Sequence, residues 1–107
     1  MNRRRIIALS LLAFGTACAP SLVAAEEHIV EINGLEFSPA ELTISAGDTV
    51  TWVNSDVMAH TSTASGGSWD SGRMDKGDEW SFTFDNSGDF AYDCTFHPTM
   101  RGLVIVQ

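Results

Sequence analysis

Apolar and polar residues alternate in short runs from residue 26 onward, and this two-residue period constrains the fold more than any other feature. The clearest run contains Trp80, Phe82 and Phe84, each separated from the next by one polar residue. Side chains spaced by two lie on the same face of a β-strand, whereas a helix would need spacings of three and four. No sustained helical period appears, so the pattern predicts an all-β domain.

Turn-forming residues separate the runs and set the number of strands. Glycine-containing turns occur at residues 46–48, 66–68, 76–78 and 86–88. Seven or eight short, mostly antiparallel strands separated by such turns are typical of a Greek-key β-sandwich. Residues 65–78 are the least regular and are expected to cross between the sheets. Residues 103–106 are continuously apolar, which predicts a strand covered on both faces.

The first 25 residues have the layout of a secretory signal peptide. Basic residues 3–5 precede an apolar run over residues 6–14, and small residues follow at 23–25. The apolar run is too short to predict a membrane span. We therefore expect a signal peptide over residues 1–25 and one exported, periplasmic domain over residues 26–107, with no integral membrane span. Cys18 leaves an alternative open, because a lipid attached there would anchor the domain to a membrane.

The predicted mature domain is strongly acidic. All fourteen Asp and Glu residues follow residue 25 but only three of the six Lys and Arg do, so its formal charge is −11, against −8 for the whole chain. Nucleic acid binding needs clustered basic residues, so no nucleic acid partner is expected. The charge instead favours a protein partner with a basic docking face.

Cys94 is the single cysteine of the predicted mature domain. An exported domain of this size is often cross-linked by disulfides, but one thiol cannot form an internal bridge. A free thiol in an oxidising compartment is a liability unless it is buried or occupied. We therefore expect Cys94 to be a ligand.

A metal-binding motif surrounds this cysteine. The spacing Cys94-x-x-His97-x-x-Met100 places a thiolate, an imidazole and a thioether on one short loop between two predicted strands. His60 lies in or after a neighbouring predicted strand, which can deliver a second imidazole to the same point. Two His, one Cys and a weak axial Met form the ligand set of a blue copper electron-transfer site. Each residue alone could be ordinary core, but together they predict one type 1 copper ion.

The chain resembles the amicyanin-like cupredoxins at these residues. The stretch Tyr92–Val106, the opening strands over residues 37–52, and Met58-Ala59-His60 carry the resemblance, which covers essentially the whole predicted mature domain. It implies an eight-stranded Greek-key cupredoxin with His60, Cys94 and His97 as equatorial ligands and Met100 axial. One residue departs from the pattern: the family usually has Asn after the first histidine, and here Thr61 follows.

The residues beside the ligands have expected roles of their own. Ala59 and Thr61 flank His60 and are expected to support it, with the Thr61 hydroxyl taking over part of the bracing that Asn provides in the family. The resemblance implies that His97 reaches the surface through an apolar collar, where a redox partner docks. The expected members of this docking patch are Met58, Phe96 and Pro98, together with Met100 and Phe37. Such a partner would be a c-type cytochrome or a dehydrogenase.

The N-terminus offers a separate metal site. After cleavage behind Ala25, His28 becomes the third residue, and a free amine, two amide nitrogens and its imidazole can form a square-planar Cu(II) or Ni(II) site. The alternative is a plain surface histidine at a frayed terminus.

An enzyme and a copper carrier are the two alternatives to an electron carrier. Copper enzymes of this fold add further His-rich centres, and three histidines cannot build a second full centre, so the chain is not expected to be an enzyme. A copper carrier or chaperone would use the same ligands, and the sequence does not distinguish it from an electron carrier. A zinc site is disfavoured because Met is a poor fourth ligand for zinc.

Overall fold

The computed structural model describes residues 24–107, which form eight strands and no helix. The strands are β1 (Glu27–Asn33), β2 (Glu36–Ser38), β3 (Glu41–Ile44), β4 (Thr49–Asn54), β5 (Thr63–Ala64), β6 (Glu79–Thr83), β7 (Gly88–Cys94) and β8 (His97–Val106). All but the last two residues of the predicted leader, Cys18 included, lie outside the described residues. No helix within residues 24–107 is long and apolar enough to cross a membrane.

The strands form two four-stranded sheets. One has the order β2-β1-β4-β6 and the other β3-β8-β7-β5. The β1–β4 and β3–β8 pairs are parallel, and the other four pairs are antiparallel. The prediction of a mostly antiparallel Greek-key sandwich is therefore confirmed.

The irregular segment after β5 crosses from the second sheet to the first, as predicted. It folds back on the chain before β5, because Met74 and His60 exchange both backbone hydrogen bonds at 2.8 and 3.0 Å. The Trp69 indole Nε1–H donates to Ser62 Oγ at 2.9 Å, which fixes the middle of the segment. The crossing segment thus covers His60 and closes one side of its surroundings.

Aromatic rings fill the space between the sheets. Trp52 packs against Trp69 and Tyr92 with ring centroids 5.6 and 5.4 Å apart. The Tyr92 ring also occupies the place where a Cβ on Gly102 would lie, only 2.2 Å from Tyr92 Cζ. Interlocked rings of this kind leave little room for the strands to shift, so the ends of the strands are held rigidly.

The expectation that residues 103–106 are covered on both faces is wrong. Val104 and Val106 are buried, whereas Leu103 and Ile105 are half-buried. A two-layer sandwich has a single interior, so only one face of β8 meets it. On the outer face, Leu103 and Ile105 are partly covered because β8 lies between β3 and β7 in its sheet.

Candidate metal centre

Two imidazoles and a thiol meet at one end of the sandwich. Cys94 ends β7, His97 begins β8, and His60 lies between β4 and β5. Cys94 Sγ is 3.7 Å from Nδ1 of His60 and 3.7 Å from Nδ1 of His97. Metal–sulfur bonds of about 2.3 Å and metal–nitrogen bonds of about 2.0 Å, spread at 120°, would separate sulfur from nitrogen by about 3.7 Å. The three donors therefore fit one trigonally bound metal ion.

The three donors differ in exposure. His60 and Cys94 are 0% exposed, while His97 is partly exposed. Burial keeps water away from the thiol, and His97 forms the link from the cluster to the surface. Met100 is buried on β8, three residues beyond His97. The prediction of a loop that carries all three residues is therefore wrong, because β8 pairs with β7 from His97 onward. The role of Met100 as axial ligand stays a prediction.

Thr61 holds both the sulfur and the ligand loop. Its backbone N–H points at Cys94 Sγ at 3.3 Å, and its hydroxyl accepts the Thr95 N–H at 2.9 Å. The hydroxyl then bonds Thr63 Oγ1 at 2.8 Å, and Thr63 donates to Asp70 Oδ1 at 3.1 Å. The chain of hydroxyls ends on a carboxylate, which can only accept, so the direction of each bond is set. These contacts place Thr61 where the bracing predicted for it would act.

Asp56 is a residue that the sequence reasoning missed. Its Oδ2 lies 3.0 Å from Nε2 of the buried His60, while Nδ1 of the same ring faces Cys94. The backbone N–H groups of Leu35 and Val57 also donate to this carboxylate. The hydrogen bond from His60, followed by that from Leu35, lowers the pKa of Asp56 below its ordinary value. An ionised Asp56 keeps the proton on Nε2 and leaves the Nδ1 lone pair free for a metal.

The Asn54 side chain hydrogen-bonds to three backbone groups near Asp56. Its amide Nδ2 donates to the carbonyl oxygens of Met58 and Met74 at 2.9 Å each, and its Oδ1 accepts the Asp56 N–H at 2.9 Å. The side chain is fully buried. The i,i+4 spacing of Asp56 and His60 was the only available sequence signal, and that spacing predicts a contact in a helix rather than in this loop.

Several apolar residues next to the ligands in the chain are exposed, but they are not the full set predicted for the docking patch. Met58 is 44% exposed, Phe96 is 47% exposed, and Pro98 is exposed as well. Phe37 and Met100 are buried, so including them in the patch was wrong: both side chains belong to the core between the sheets. Ala59, also expected to support His60, is half-buried directly before it.

Two exposed apolar residues in the same region were not predicted. Val57 is 79% exposed and adjoins Met58, and Leu35 is 46% exposed and donates its N–H to Asp56. Neither has a strong sequence signal, because a single exposed apolar residue is common. We call Leu35, Val57, Met58, Phe96 and Pro98 the apolar collar.

His28 does not lie in the arrangement predicted for a terminal Cu(II) or Ni(II) site. That site requires the amide nitrogens of residues 27 and 28 to surround the ion, but Glu27 and His28 pair with Thr49 and Val50 in the parallel β1–β4 ladder. The His28 imidazole Nε2 instead lies 3.0 Å from Asp48 Oδ2. The terminus is therefore an ordered part of the sheet, and the square-planar site would require it to unfold locally.

A Greek-key β-sandwich that gathers two imidazoles and a thiolate at one end defines a cupredoxin, the class of type 1 blue copper proteins. Residues 24–107 match the family model described as copper binding proteins, plastocyanin/azurin family. The chain belongs to this family, and copper is its cofactor.

Within the family, the chain is similar to amicyanins. It is 38% identical to amicyanin of Paracoccus versutus over 90 residues, covering 79% of this chain and 68% of the relative. It is 35% identical to amicyanin of Paracoccus denitrificans, covering 83% of this chain and 72% of the relative.

Solved structures agree with the sequence relatives. An oxidised methionine-to-leucine mutant of amicyanin superposes with a TM-score of 0.71 at 34% identity, covering 75% of this chain and 81% of the other. A purple cupredoxin from Nitrosopumilus maritimus has the same TM-score at 32% identity, covering 75% of this chain and 99% of the other.

Proposed function

We propose that the protein is an exported, periplasmic one-electron carrier that cycles between Cu(I) and Cu(II), with His60, Cys94 and His97 as strong ligands and Met100 as a weak axial ligand. The observation that carries the proposal is the buried trigonal cluster, with sulfur 3.7 Å from each of two Nδ1 atoms. Bound copper supplies reversible one-electron chemistry. The periplasmic location rests on the leader pattern, and attachment through Cys18 remains the alternative.

The surroundings of the cluster favour redox cycling because they resist movement. The Asp56 carboxylate accepts a hydrogen bond from His60 Nε2, and the Thr61 backbone N–H points at the sulfur of Cys94, so both buried donors are held in place. Ligands that keep their positions in both oxidation states lower the reorganisation that accompanies electron transfer. The same contacts exclude water from the two buried donors.

Electrons would enter and leave through His97. This is the partly exposed member of the cluster, and its neighbours Phe96 and Pro98 are exposed members of the apolar collar. A small apolar contact that forms and separates quickly suits a transient redox encounter. The acidic charge of the domain favours a partner with a basic docking face, such as a c-type cytochrome or a dehydrogenase.

Adding Cu(II) to the purified metal-free protein tests the metal centre. We expect an intense visible band from thiolate-to-copper charge transfer, and we expect Cys94→Ser to lack it while keeping the circular dichroism of a folded β protein. A Cys94→Ser variant with an unchanged band would disprove the assignment.

A second measurement separates an electron carrier from a copper carrier. The reduced, copper-loaded protein is mixed with an oxidised c-type cytochrome or with a metal-free copper acceptor, and the rates of electron and metal transfer are compared. Fast electron transfer with copper retained supports the proposal. Copper loss to the acceptor without electron transfer would favour the chaperone alternative.

The docking patch is tested by adding one positive charge to it. Pro98→Lys is expected to slow electron transfer to the cytochrome without changing the visible band, because the added charge repels the basic face of the partner. Ala46→Lys, which adds the same charge to an exposed turn at the other end of the domain, is the matched control. Equal rates for the two variants would contradict docking at the collar. Raising the salt concentration should slow the encounter if charge steers it.

A further inference from the structure

A second group of potential metal ligands lies at the end of the sandwich opposite the copper centre. It contains Glu26, His28 and Asp48, whose donor atoms all lie within 4.8 Å of one another. Asp48 directly precedes β4, whereas Asp56, the partner of His60, follows it. We propose that these three side chains form a second metal site, which takes a divalent cation with nitrogen and oxygen ligands, such as Zn²⁺.

The distances suit such an ion. His28 Nε2 lies 3.0 Å from Asp48 Oδ2 and 3.9 Å from Glu26 Oε1. Tetrahedral bonds of about 2.1 Å from Zn²⁺ to nitrogen and oxygen separate neighbouring donors by about 3.4 Å. The two observed distances lie on either side of this value. Because the Glu26 side chain is 68% exposed, it can turn toward the imidazole at little cost.

Backbone hydrogen bonds fix the orientation of the Asp48 carboxylate. Its side chain is 7% exposed, Oδ1 accepts the Glu26 N–H at 2.9 Å, and Oδ2 accepts the Ser45 N–H at 3.1 Å. These bonds fix the carboxylate with Oδ2 toward His28.

The site is also accessible and chemically distinct from the copper centre. An open depression lined in part by residues 26, 45, 46 and 48 adjoins the carboxylate and leaves room for a water ligand. Without a sulfur ligand, the group suits Zn²⁺ or another divalent ion rather than Cu(I). A bound ion would join the start of β1 to the turn before β4 and stabilise that end of the domain.

Calorimetric titration of the copper-loaded protein with Zn²⁺ tests the site, because copper already occupies the other imidazoles and the thiolate. We expect one Zn²⁺ per protein, an unchanged visible copper band and a higher unfolding temperature. His28→Gln should weaken Zn²⁺ binding at least tenfold, and Glu26→Gln should weaken it less. Glu31→Gln removes an exposed carboxylate from the same strand and should leave the affinity within about twofold of the parent, which controls for general attraction to an acidic surface.

Two results would overturn the proposal. One is the absence of Zn²⁺ binding at millimolar concentration in a protein whose copper band is intact. The other is binding that His28→Gln does not weaken. Since the copper band is recorded in the same samples, failure of this site is distinguishable from failure of the electron-carrier proposal.

Discussion

The two ends of β4 carry the same pair of side chains in different surroundings. At each end a histidine Nε2 lies 3.0 Å from an aspartate Oδ2, with His60 and Asp56 at one end and His28 and Asp48 at the other. His60 is fully buried and its other ring nitrogen faces Cys94, whereas the His28 side chain is 20% exposed. Cys94 is the one cysteine within residues 24–107, and it lies at the His60 end. A histidine–aspartate pair alone therefore does not make a copper site. The copper site also needs the thiolate of Cys94, which a different strand, β7, brings to His60.

The largest expected difference between the ends is in copper binding. His60→Ala should lose the visible thiolate band and most of the bound copper, because only one strong nitrogen ligand remains beside Cys94. His28→Ala should keep both. Absorption spectra and copper analysis of the two purified variants check this. A His60→Ala protein that kept the visible thiolate band would contradict the expectation that only the His60 end binds copper.

Two glycines test how tightly each end is packed. A Cβ on Gly102 would lie 2.2 Å from the buried Tyr92 ring, so Gly102→Ala should cost about 3 kcal/mol in free energy of unfolding, or more. Gly47 has φ of 98° and open space around it, so Gly47→Ala meets only the backbone penalty of about 1–2 kcal/mol. Urea unfolding of the metal-free variants measures both values. Equal losses would contradict the close packing of Tyr92 against Gly102.

The aspartates should differ in their effect on the metal. Asp56→Asn keeps an oxygen near His60 Nε2 but loses its charge, so the imidazole becomes less basic and Cu(II) is held less well. Copper affinity should fall by about 10- to 100-fold, and the reduction potential should rise. Asp48→Asn, at the other end, should leave the potential unchanged. Competition with a copper chelator and voltammetry test this, and an unchanged potential in Asp56→Asn would contradict it.

The smallest expected effect is the acid response of Asp48. Its pKa is about 2 in the folded protein against an ordinary value of 3.8. A carboxylate whose pKa is lower in the folded state stabilises the fold at pH values above its ordinary pKa. This contribution is lost as the pH falls through the pKa of the folded state. The stability difference between the parent and Asp48→Asn should therefore shrink between about pH 4 and pH 2. Denaturant unfolding of the metal-free proteins across that range measures it, and a constant difference would refute the expectation.

Much of the fold was predictable because its causes are local. Alternation at Trp80, Phe82 and Phe84 reflects strands with one buried face, and glycines near residues 47 and 77 mark real turns. The same local reasoning failed where burial depends on a second layer. Phe37 looks like a surface candidate in the sequence, yet its ring packs edge-on against Tyr92, 4.7 Å away, in the core.

By itself, the sequence determined that this chain forms a β-sandwich and that Cys94, His97 and Met100 lie within seven consecutive residues, because strand period, turns and residue spacing are properties of neighbouring residues. Only the tertiary structure decided that Asp56 would orient His60, that the Thr61 hydroxyl would hold the ligand loop, and that His28 would face Asp48. These contacts join residues of different chain segments whose approach depends on how two sheets pack. No local spacing encodes that packing.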